Sequence, residues 1–314
     1  MSIKMKQTMT AALVTTFGGP DVVGIGEAEL RAMEPDEATV RIEAAGVNPL
    51  DVKVVAGSMQ QVFPIALPYI PGNDFSGVIE AVGARITHLQ PGDRVFGRST
   101  PGTGGAFAER LVIAASDLCA IPPEMSFEQA ASLPTAFGTA RQALFDSGRL
   151  QRGQRVLVHA AAGGVGSMAV QQAHLAGAYV IGTASAGNVD LVKSLGADEV
   201  VDYRTQDFTK LRDIDLVLDP IGGETLENSW SVLREGGRIA TLVEFSIKPR
   251  NGRIGEAVFF ASATPSLPEA VRQFQAGQLQ IVTDSIFPLE DTRAALEKVA
   301  TGHARGKVII RTRN

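Results

Sequence analysis

The chain has 314 residues, more than one hydrophobic core usually holds, which favours two domains or one domain interrupted by another. Hydrophobic residues make up 45% and charged residues 20% of the chain, a globular composition that argues against long disorder. The net charge is −5 and no basic cluster is long enough to follow a phosphate backbone, so nucleic acid is a poor partner.

The sequence also lacks membrane, export and metal-binding signals. No apolar run reaches the roughly 18 residues of a membrane-spanning helix, and residues 1–6 have no apolar stretch behind their lysines. We therefore expect a cytoplasmic protein without a membrane partner. The single cysteine, Cys119, excludes an internal disulfide and cysteine-rich zinc sites, and the four histidines are widely separated. We expect no bound metal.

The first third of the chain is predicted to form a β domain. Short segments rich in valine, isoleucine and phenylalanine are separated by turns containing glycine, proline and aspartate. Residues 40–44 alternate apolar and polar side chains, as a half-buried antiparallel strand requires. The predicted strands are 11–16, 39–47, 75–82, 94–96 and 107–114.

The middle of the chain is predicted to form a doubly wound parallel sheet. Ser126 and Gln129 can form a capping box, and a helix is expected at 135–145. Beyond residue 155, apolar strands alternate with amphipathic helices, which is typical of a parallel sheet covered on both faces. The predicted strands are 156–158, 179–181, 200–201, 216–218 and 238–243, and the predicted helices are 164–175, 189–195 and 224–233, with a short helix after residue 201.

The end of the chain is predicted to return to the β domain. Helices are expected at 268–276 and 290–300, and strands near residue 281 and at 307–311. These residues are too few for a third core, so the α/β part becomes an insertion. The predicted domain limits are 1–125 and 263–314 for the β domain and 126–262 for the α/β domain.

A glycine-rich turn follows the first strand of the α/β part. Gly163 and Gly166 fill two positions of the pattern G-x-G-x-x-G, and Ala161 stands at the first. Such a turn brings backbone amides and the positive end of a helix against a diphosphate. Because at least four strand–helix units begin here, Gly163, Gly164, Val165 and Gly166 are predicted to bind a dinucleotide. The alternative is a turn whose glycines serve close packing of helix on sheet.

The end of the second strand bears on the choice of nucleotide. NAD sites usually carry an acidic residue there, which binds the ribose 2′-hydroxyl, whereas residues 181–188 contain none. NADP, and thus NADPH, is therefore the expected cofactor. The candidates for contact with a 2′-phosphate are Thr183, Ser185, Asn188, Lys193, Tyr203 and Arg204. Thr183 and Ser185 could instead serve turn formation and helix capping.

Six segments, taken together in their order and spacing, point to one known family. They are 48–53, which reads Asn-Pro-Leu-Asp-Val-Lys, and 71–77, 92–97, 105–109, 161–166 and 302–307. Over nearly the whole chain the sequence resembles the zinc-independent quinone oxidoreductases, the zeta-crystallin-like members of the medium-chain dehydrogenase/reductase superfamily. The resemblance implies an α/β protein in which a GroES-like β-barrel domain is interrupted by a Rossmann domain. It also implies a homodimer.

The same resemblance implies an activity. In the zinc alcohol dehydrogenases of this superfamily, a cysteine stands at or beside the position of Asp51, and a histidine stands at that of Asn73. Because both ligands are replaced here, the acceptor must be reducible without a Lewis acid, which quinones and activated α,β-unsaturated carbonyls are. The implied function is NADPH-dependent hydride transfer to such an acceptor. Two alternatives are an alkenal or enone reductase with incidental quinone activity and an NADP-binding sensor without turnover.

Site residues follow from the resemblance. It implies a catalytic loop with Asn48, Asp51 and Lys53, in which Asn48 binds the ribose or acceptor oxygen and Lys53 offers positive charge. Asp51 and Lys53 could instead form a surface ion pair. The cofactor-binding residues that it implies besides the glycine turn are Asn48, Lys53, Thr139, Tyr203, Ile221, Val243, Phe259, Phe260 and Lys307. Packing or surface roles are the alternative for each.

Overall fold

The computed structural model of the chain describes residues 8–313, which fall into two units. The first unit holds the described residues up to Thr135, together with Ser262–Val271 and the residues from Thr283 onward. The second unit holds Ala136–Ala261 and Arg272–Val282. The domain limits drawn from the sequence stay a prediction, and the segment 1–6, on which the export argument depends, lies outside the described residues.

Fifteen strands and eight α-helices make up the described part of the chain. The strands are β1 (Thr8–Val14), β2 (Val23–Glu29), β3 (Glu37–Val47), β4 (Asp74–Val82), β5 (Arg94–Arg98), β6 (Arg110–Ala114), β7 (Leu118–Ala120), β8 (Arg155–Val158), β9 (Tyr179–Ala184), β10 (Glu199–Asp202), β11 (Ile214–Asp219), β12 (Leu233–Thr241), β13 (Ile254–Ala257), β14 (Thr283–Pro288) and β15 (Lys307–Arg311). The helices are α1 (Pro49–Val55), α2 (Phe127–Ala131), α3 (Pro134–Arg141), α4 (Gly164–Leu175), α5 (Val189–Ser194), α6 (Gly223–Ser229), α7 (Leu267–Gln275) and α8 (Thr292–Ala300). Among these helices, none is long and apolar enough to cross a membrane.

The first unit is a mainly antiparallel β domain. Its larger sheet has the order β14-β15-β3-β4-β5-β7, with β6 on β3, and β1 and β2 form a separate pair. Strand β3 is central, because β6 pairs with its first half and β15 with its second half along one edge. Phe75, Phe107 and Ile42 are fully buried in its core. Because β15 pairs with β3, the last strand of the chain lies in this β domain.

The second unit is a six-stranded parallel sheet of the order β10-β9-β8-β11-β12-β13. Numbered from β8, this order is 3-2-1-4-5-6, that of the Rossmann dinucleotide-binding fold. Leu157, Ile181, Val217 and Ile239 are fully buried in its core. In such sheets ligands bind at the carboxyl ends of the strands, beside the point where the strand order reverses. The predicted fold class is confirmed.

Two predicted elements were wrong. The segment from Pro49 is a helix, not a loop, because proline suits its first position and the Asp51 carboxylate accepts from the Asn48 amide at its start. Helix α6 ends at Ser229, since Leu233 already begins β12 and pairs with β11. The strand expected near residue 281 is present as β14, which begins at Thr283.

Candidate functional site

The glycine turn leads from β8 into α4 at the carboxyl edge of the parallel sheet. Gly163 precedes the helix, whose first-turn amides have no acceptor within the helix. A Cβ on Gly166 would lie only 2.1 Å from the Ala160 carbonyl oxygen, so only glycine permits this close approach of helix and turn. A Cβ on Gly163 would lie 3.2 Å from the same oxygen. Gly166 thus serves packing, and the turn still fits a diphosphate.

Buried polar residues lie at the ends of four neighbouring strands at this edge, and the sequence analysis missed all of them except Thr183. They are His159 after β8, Thr183 in β9, Asp219 in β11 and Thr241 in β12, and all are buried. Each ends an apolar run, and that signal could have identified them. The Asp219 carboxylate accepts from the amides of Ile221 and Gly222 at 3.0 Å each and from the Thr241 hydroxyl at 2.9 Å. Asp219 therefore fixes the loop that follows β11.

This loop and the loop after β12 each present one of the predicted cofactor-binding residues. Ile221 is 51% exposed, although it follows a mostly buried strand. Val243 is half-buried, and its Cγ2 would lie 2.8 Å from a Cβ on Gly222. The loops after β11 and β12 thus bring Ile221 and Val243 to the same edge of the sheet.

Four of the candidates for a 2′-phosphate lie around the end of β9. Ser185 accepts from the Asn188 side-chain amide at 3.1 Å, and the Tyr203 amide donates to the Ala184 carbonyl at 3.2 Å. Arg204 is exposed and stacks at 5.9 Å from the Tyr203 ring. Lys193 is exposed in α5. Ser185, Asn188, Tyr203 and Arg204 therefore share one corner of the second unit.

Thr183 also lies near the end of β9, but it is buried. Its side chain is 2% exposed, and its hydroxyl oxygen lies 3.2 Å from His159 Nδ1 and accepts from the Ala160 amide at 3.3 Å. The hydroxyl is turned into the protein, so it is not available to a 2′-phosphate. The prediction for this residue is corrected accordingly.

The remaining candidates in the second unit belong to α3 and to the segment after β13. Thr139 is buried in α3, and Gln142, three residues later, donates its side-chain amide to the Phe259 carbonyl at 3.2 Å. Phe259 is exposed and meets the Phe245 ring edge to face, with 6.3 Å between ring centres. Phe260 is half-buried. Thr139 and Phe259 therefore lie in the same region of this unit.

In the first unit, strand register assembles what we call the buried polar cluster. Its members are Asn48, Asp51, Asp74, Arg98, Thr135 and Lys307, and all but the half-buried Thr135 are buried. Asp74 in β4 pairs with Gly46 on one side and with Arg98 on the other. Val308 pairs with Val47, which brings the preceding Lys307 beside Asn48. The cluster thus follows from the pairing of β15, β3, β4 and β5.

The Asn48 amide group is held from both ends. Lys307 Nζ donates to Asn48 Oδ1 at 2.6 Å and to the Val47 carbonyl at 3.0 Å. Asn48 Nδ2 donates to Asp74 Oδ2 at 3.0 Å. The prediction that Asn48 binds a ribose or acceptor oxygen must therefore account for a side chain already paired through both of its polar atoms.

Asp74 and Thr135 connect the cluster to Arg98. Thr135 donates to Asp74 Oδ1 through its hydroxyl at 2.6 Å, and its amide donates to the same carboxylate at 3.2 Å. Arg98 Nε donates to the Thr135 hydroxyl at 3.0 Å. Lys307 Nζ lies 3.7 Å from Asp74 Oδ2. Lys307 thus faces one fully buried carboxylate directly, and Arg98 is linked to it through the Thr135 hydroxyl, a feature that sequence reasoning missed.

Burial dominates the titration of the cluster. It raises the pKa of Asp51 to about 7; the Asn48 amide opposes this shift, and the nearby Asp74 charge adds to it. Burial lowers the pKa of Lys307, while the charges of Asp74 and Asp51 oppose that change. Asp51 therefore holds a proton to much higher pH than an ordinary aspartate.

Two lysines predicted to belong to the site differ in burial. Lys307 is 3% exposed, and since β15 lies between β14 and β3, the alternative of an edge-strand lysine was wrong. Lys53 is exposed on α1, whereas Asp51 on the same helix is buried. The alternative of a solvated ion pair between Asp51 and Lys53 was therefore wrong. Of the predicted catalytic group, the structure brings Asn48 and Asp51 together and leaves Lys53 on the surface.

Within residues 8–313, no three histidine, cysteine, aspartate or glutamate side chains converge in a way that could hold a metal ion. At the positions that zinc ligands occupy in the resembling dehydrogenases stand Asp51 and Asn73. Asn73 is buried, and its amide nitrogen donates to the Ser99 carbonyl at 3.3 Å. The Lys307 ammonium lies close enough to Asp51 to act on its titration. This donor set does not fit a divalent metal.

Known proteins resemble the chain in both parts. Residues 34–123 match the alcohol dehydrogenase GroES-like domain, and residues 195–310 match the family described as zinc-binding dehydrogenase. A quinone oxidoreductase of Mus musculus is 31% identical, over 97% of this chain and 98% of the mouse protein. The chain belongs to the quinone oxidoreductase family of the medium-chain dehydrogenase/reductase superfamily.

Other comparisons agree with this membership. A chloroplastic quinone-oxidoreductase homolog of Spinacia oleracea is 33% identical, over 93% of this chain and 95% of the spinach protein. The solved structure of the quinone oxidoreductase from Coxiella burnetii superposes with a TM-score of 0.90 at 30% identity, covering 98% of this chain and all of that one. The chain is thus an oxidoreductase of the medium-chain type, and its cofactor is a nicotinamide dinucleotide.

Proposed function

We propose that the chain catalyses NADPH-dependent hydride transfer to quinones or activated α,β-unsaturated carbonyls without a metal ion. The observation that carries the proposal is the buried polar cluster, in which cations stand where a metal site would be expected. Lys307 is hydrogen-bonded to Asn48 at 2.6 Å and faces Asp74 at 3.7 Å. A divalent cation beside this ammonium would meet like-charge repulsion in a low-dielectric site.

The cluster supplies an electrostatic role in place of a Lewis acid. When Asp51 is protonated, the cations Lys307 and Arg98 outnumber the single carboxylate of Asp74. An excess of positive charge fixed by the fold favours an acceptor oxygen that gains negative charge. Quinones and enones suit such a site because their reduced anions delocalise this charge. The bound nicotinamide supplies the hydride.

NADPH is preferred in this proposal because of the corner at the end of β9. Ser185, Asn188 and Tyr203 gather there, no acidic residue occupies residues 181–188, and Arg204 brings a positive charge. Hydroxyl, amide and guanidinium groups suit a 2′-phosphate, whereas the acidic residue typical of NAD sites would repel it. Val165 and its neighbours in the glycine turn would hold the diphosphate through backbone amides.

The remaining residues of the proposal line the approach to the nicotinamide. Thr139, Ile221, Val243, Phe259 and Phe260 supply apolar surface with one hydroxyl, which suits a planar ring system. A cytoplasmic location and a homodimer complete the proposal and rest on composition and on the resemblance.

An acceptor panel tests the proposal. Purified protein should oxidise NADPH with 9,10-phenanthrenequinone or 1,4-benzoquinone, and it should bind NADPH more tightly than NADH in a fluorescence titration. Rapid turnover of short enals and enones with slow quinone reduction would instead favour the enone reductase. Binding of NADPH without turnover of any acceptor would refute the enzymatic proposal.

A further inference from the structure

His159 is a buried titratable residue to which the proposed reaction gives no role. It follows β8 immediately, is 1% exposed, and packs edge to face on Phe208 with 4.8 Å between ring centres. Both of its ring nitrogens have hydroxyl partners: Nδ1 lies 3.2 Å from Thr183 Oγ1, and Nε2 lies 3.0 Å from Ser229 Oγ. A neutral imidazole donates from one nitrogen and accepts at the other, so these partners decide its tautomer.

The hydroxyl of Ser229 decides the tautomer. Ser229 donates its single hydroxyl hydrogen to the Thr225 carbonyl at 2.6 Å, one turn earlier in α6. It can therefore only accept from His159, and Nε2 must carry the ring proton. Nδ1 is then an acceptor, and the Thr183 hydroxyl must donate to it.

The other end of this chain of hydrogen bonds is the glycine turn. With its hydrogen directed to His159, the Thr183 hydroxyl accepts from the Ala160 amide at 3.3 Å. Ala160 has a φ of 48°, the left-handed conformation that a residue with a Cβ adopts only when its surroundings hold it. Its carbonyl accepts from the Gly163 amide at 2.9 Å and is the group against which Gly166 packs. The placement of Ala160 therefore sets the placement of the turn.

We infer that His159, as the Nε2–H tautomer, is a positioning residue that couples α6 to the diphosphate-binding turn 160–166 through Ser229, Thr183 and Ala160. The inference rests on the proposed function in so far as this turn binds a nicotinamide dinucleotide. It adds that cofactor affinity depends on a directed hydrogen-bond chain in which His159, Ser229 and Thr183 need not touch the ligand.

Burial keeps the imidazole in the state that this chain requires. It lowers the pKa of His159 to about 4, and the carboxylate of Asp219, the charged group that acts on the ring, opposes this change. A protonated ring would donate from both nitrogens and would lose the bond from Thr183. The ring is therefore neutral near neutral pH.

A matched pair of variants tests the chain. Thr183→Val removes the hydroxyl at nearly constant volume, and Thr183→Ser keeps it. Thr183→Val should raise the Kd of NADPH and of NADH by a similar factor, about fivefold or more, whereas Thr183→Ser should stay within about twofold of the unmodified protein. Thr292→Val is the control, because Thr292 is also buried and donates to the Leu289 carbonyl in the first unit. It should lower the Tm without changing either Kd.

Nitrogen-15 spectra of the histidine rings test the tautomer in the unmodified protein, with His159→Asn used to assign the signal. The Nε2–H form is expected at neutral pH, and an Nδ1–H form would overturn the inference even if a variant failed to fold. A Kd within twofold for Thr183→Val, an equal loss in Thr183→Ser or an equal loss in Thr292→Val would also overturn it. If the unmodified protein bound neither nucleotide, the proposed function would fail as well, whereas unchanged variants would leave it intact.

Discussion

Replacing Gly166 by alanine should separate cofactor binding from the rest of the fold. The added Cβ would lie 2.1 Å from the Ala160 carbonyl oxygen and 2.9 Å from Ala161 Cα. Both are backbone atoms, so no rotamer change relieves the overlap. Ordinary contact begins at 3.4 Å, and the turn and α4 must therefore separate by about an ångström.

The size of the effect follows from this shift. Hydrogen bonds to a diphosphate tolerate only a few tenths of an ångström around roughly 2.9 Å, so at least two amide contacts should be lost. At about 1.5 kcal/mol or more for each bond to a charged group, NADPH binding should weaken by about a hundredfold. Overpacking should also lower the free energy of unfolding by about 1–3 kcal/mol.

Fluorescence titration with NADPH and a thermal melt of the same sample provide the measurement. Gly163→Ala is the matched control, because its Cβ would lie at 3.2 Å from the same oxygen and a small adjustment suffices. This variant can hinder the ligand but should keep its Tm. If Gly166→Ala bound NADPH within about threefold of the unmodified protein, the argument that this contact positions the turn would be refuted.

Three further predictions concern the remaining parts of the site. Lys307→Met leaves Arg98 as the cation of the buried polar cluster, so kcat/KM for a quinone should fall about tenfold or more while the Kd of NADPH changes little; a loss below twofold would contradict the electrostatic role. Ser185→Asp places a carboxylate beside the 2′-phosphate and should weaken NADPH binding by about tenfold or more while NADH binding is nearly kept, and equal losses in calorimetric titrations would refute the assignment. Asp51 has its pKa raised to about 7 from 3.8, so between these values the folded protein holds a proton that the unfolded chain has released, and the contribution of Asp51 to the free energy of unfolding falls as pH rises. Asp51→Asn should remove this fall. Urea titrations of both proteins at about pH 5 and pH 7 measure it, because the opposite pH dependence contributed by His159 is common to both and cancels in the comparison. If the free energy of unfolding changed with pH equally in both proteins, the burial argument would be contradicted.

Much of the second unit could be predicted because its signals are local. Strands β8, β9 and β11 each contain a continuous apolar run, and the glycine turn lies directly between β8 and α4 in the sequence. The buried polar residues at the strand ends could also have been recognised, because His159 and Asp219 each end such a run. Their partners were not, because the contact between His159 and Ser229 joins residues 70 positions apart.

The buried polar cluster could not be predicted from the sequence because register creates it. Lys307 and Asn48 are 259 positions apart, and only the pairing of Val308 with Val47 brings them together. The helix at Pro49 is a different case. Proline at its first position and Asp51 at its third are recognisable start signals, but the resemblance suggested a loop and those signals were passed over.

The central claim is hydride transfer from NADPH to a quinone without a metal. The most direct measurement is the steady-state rate of NADPH oxidation with 9,10-phenanthrenequinone, on protein dialysed against a chelator and examined by elemental analysis in the same preparation. The account predicts an undiminished rate and zinc well below one equivalent. Loss of the rate on dialysis, with recovery when zinc is returned, would contradict it.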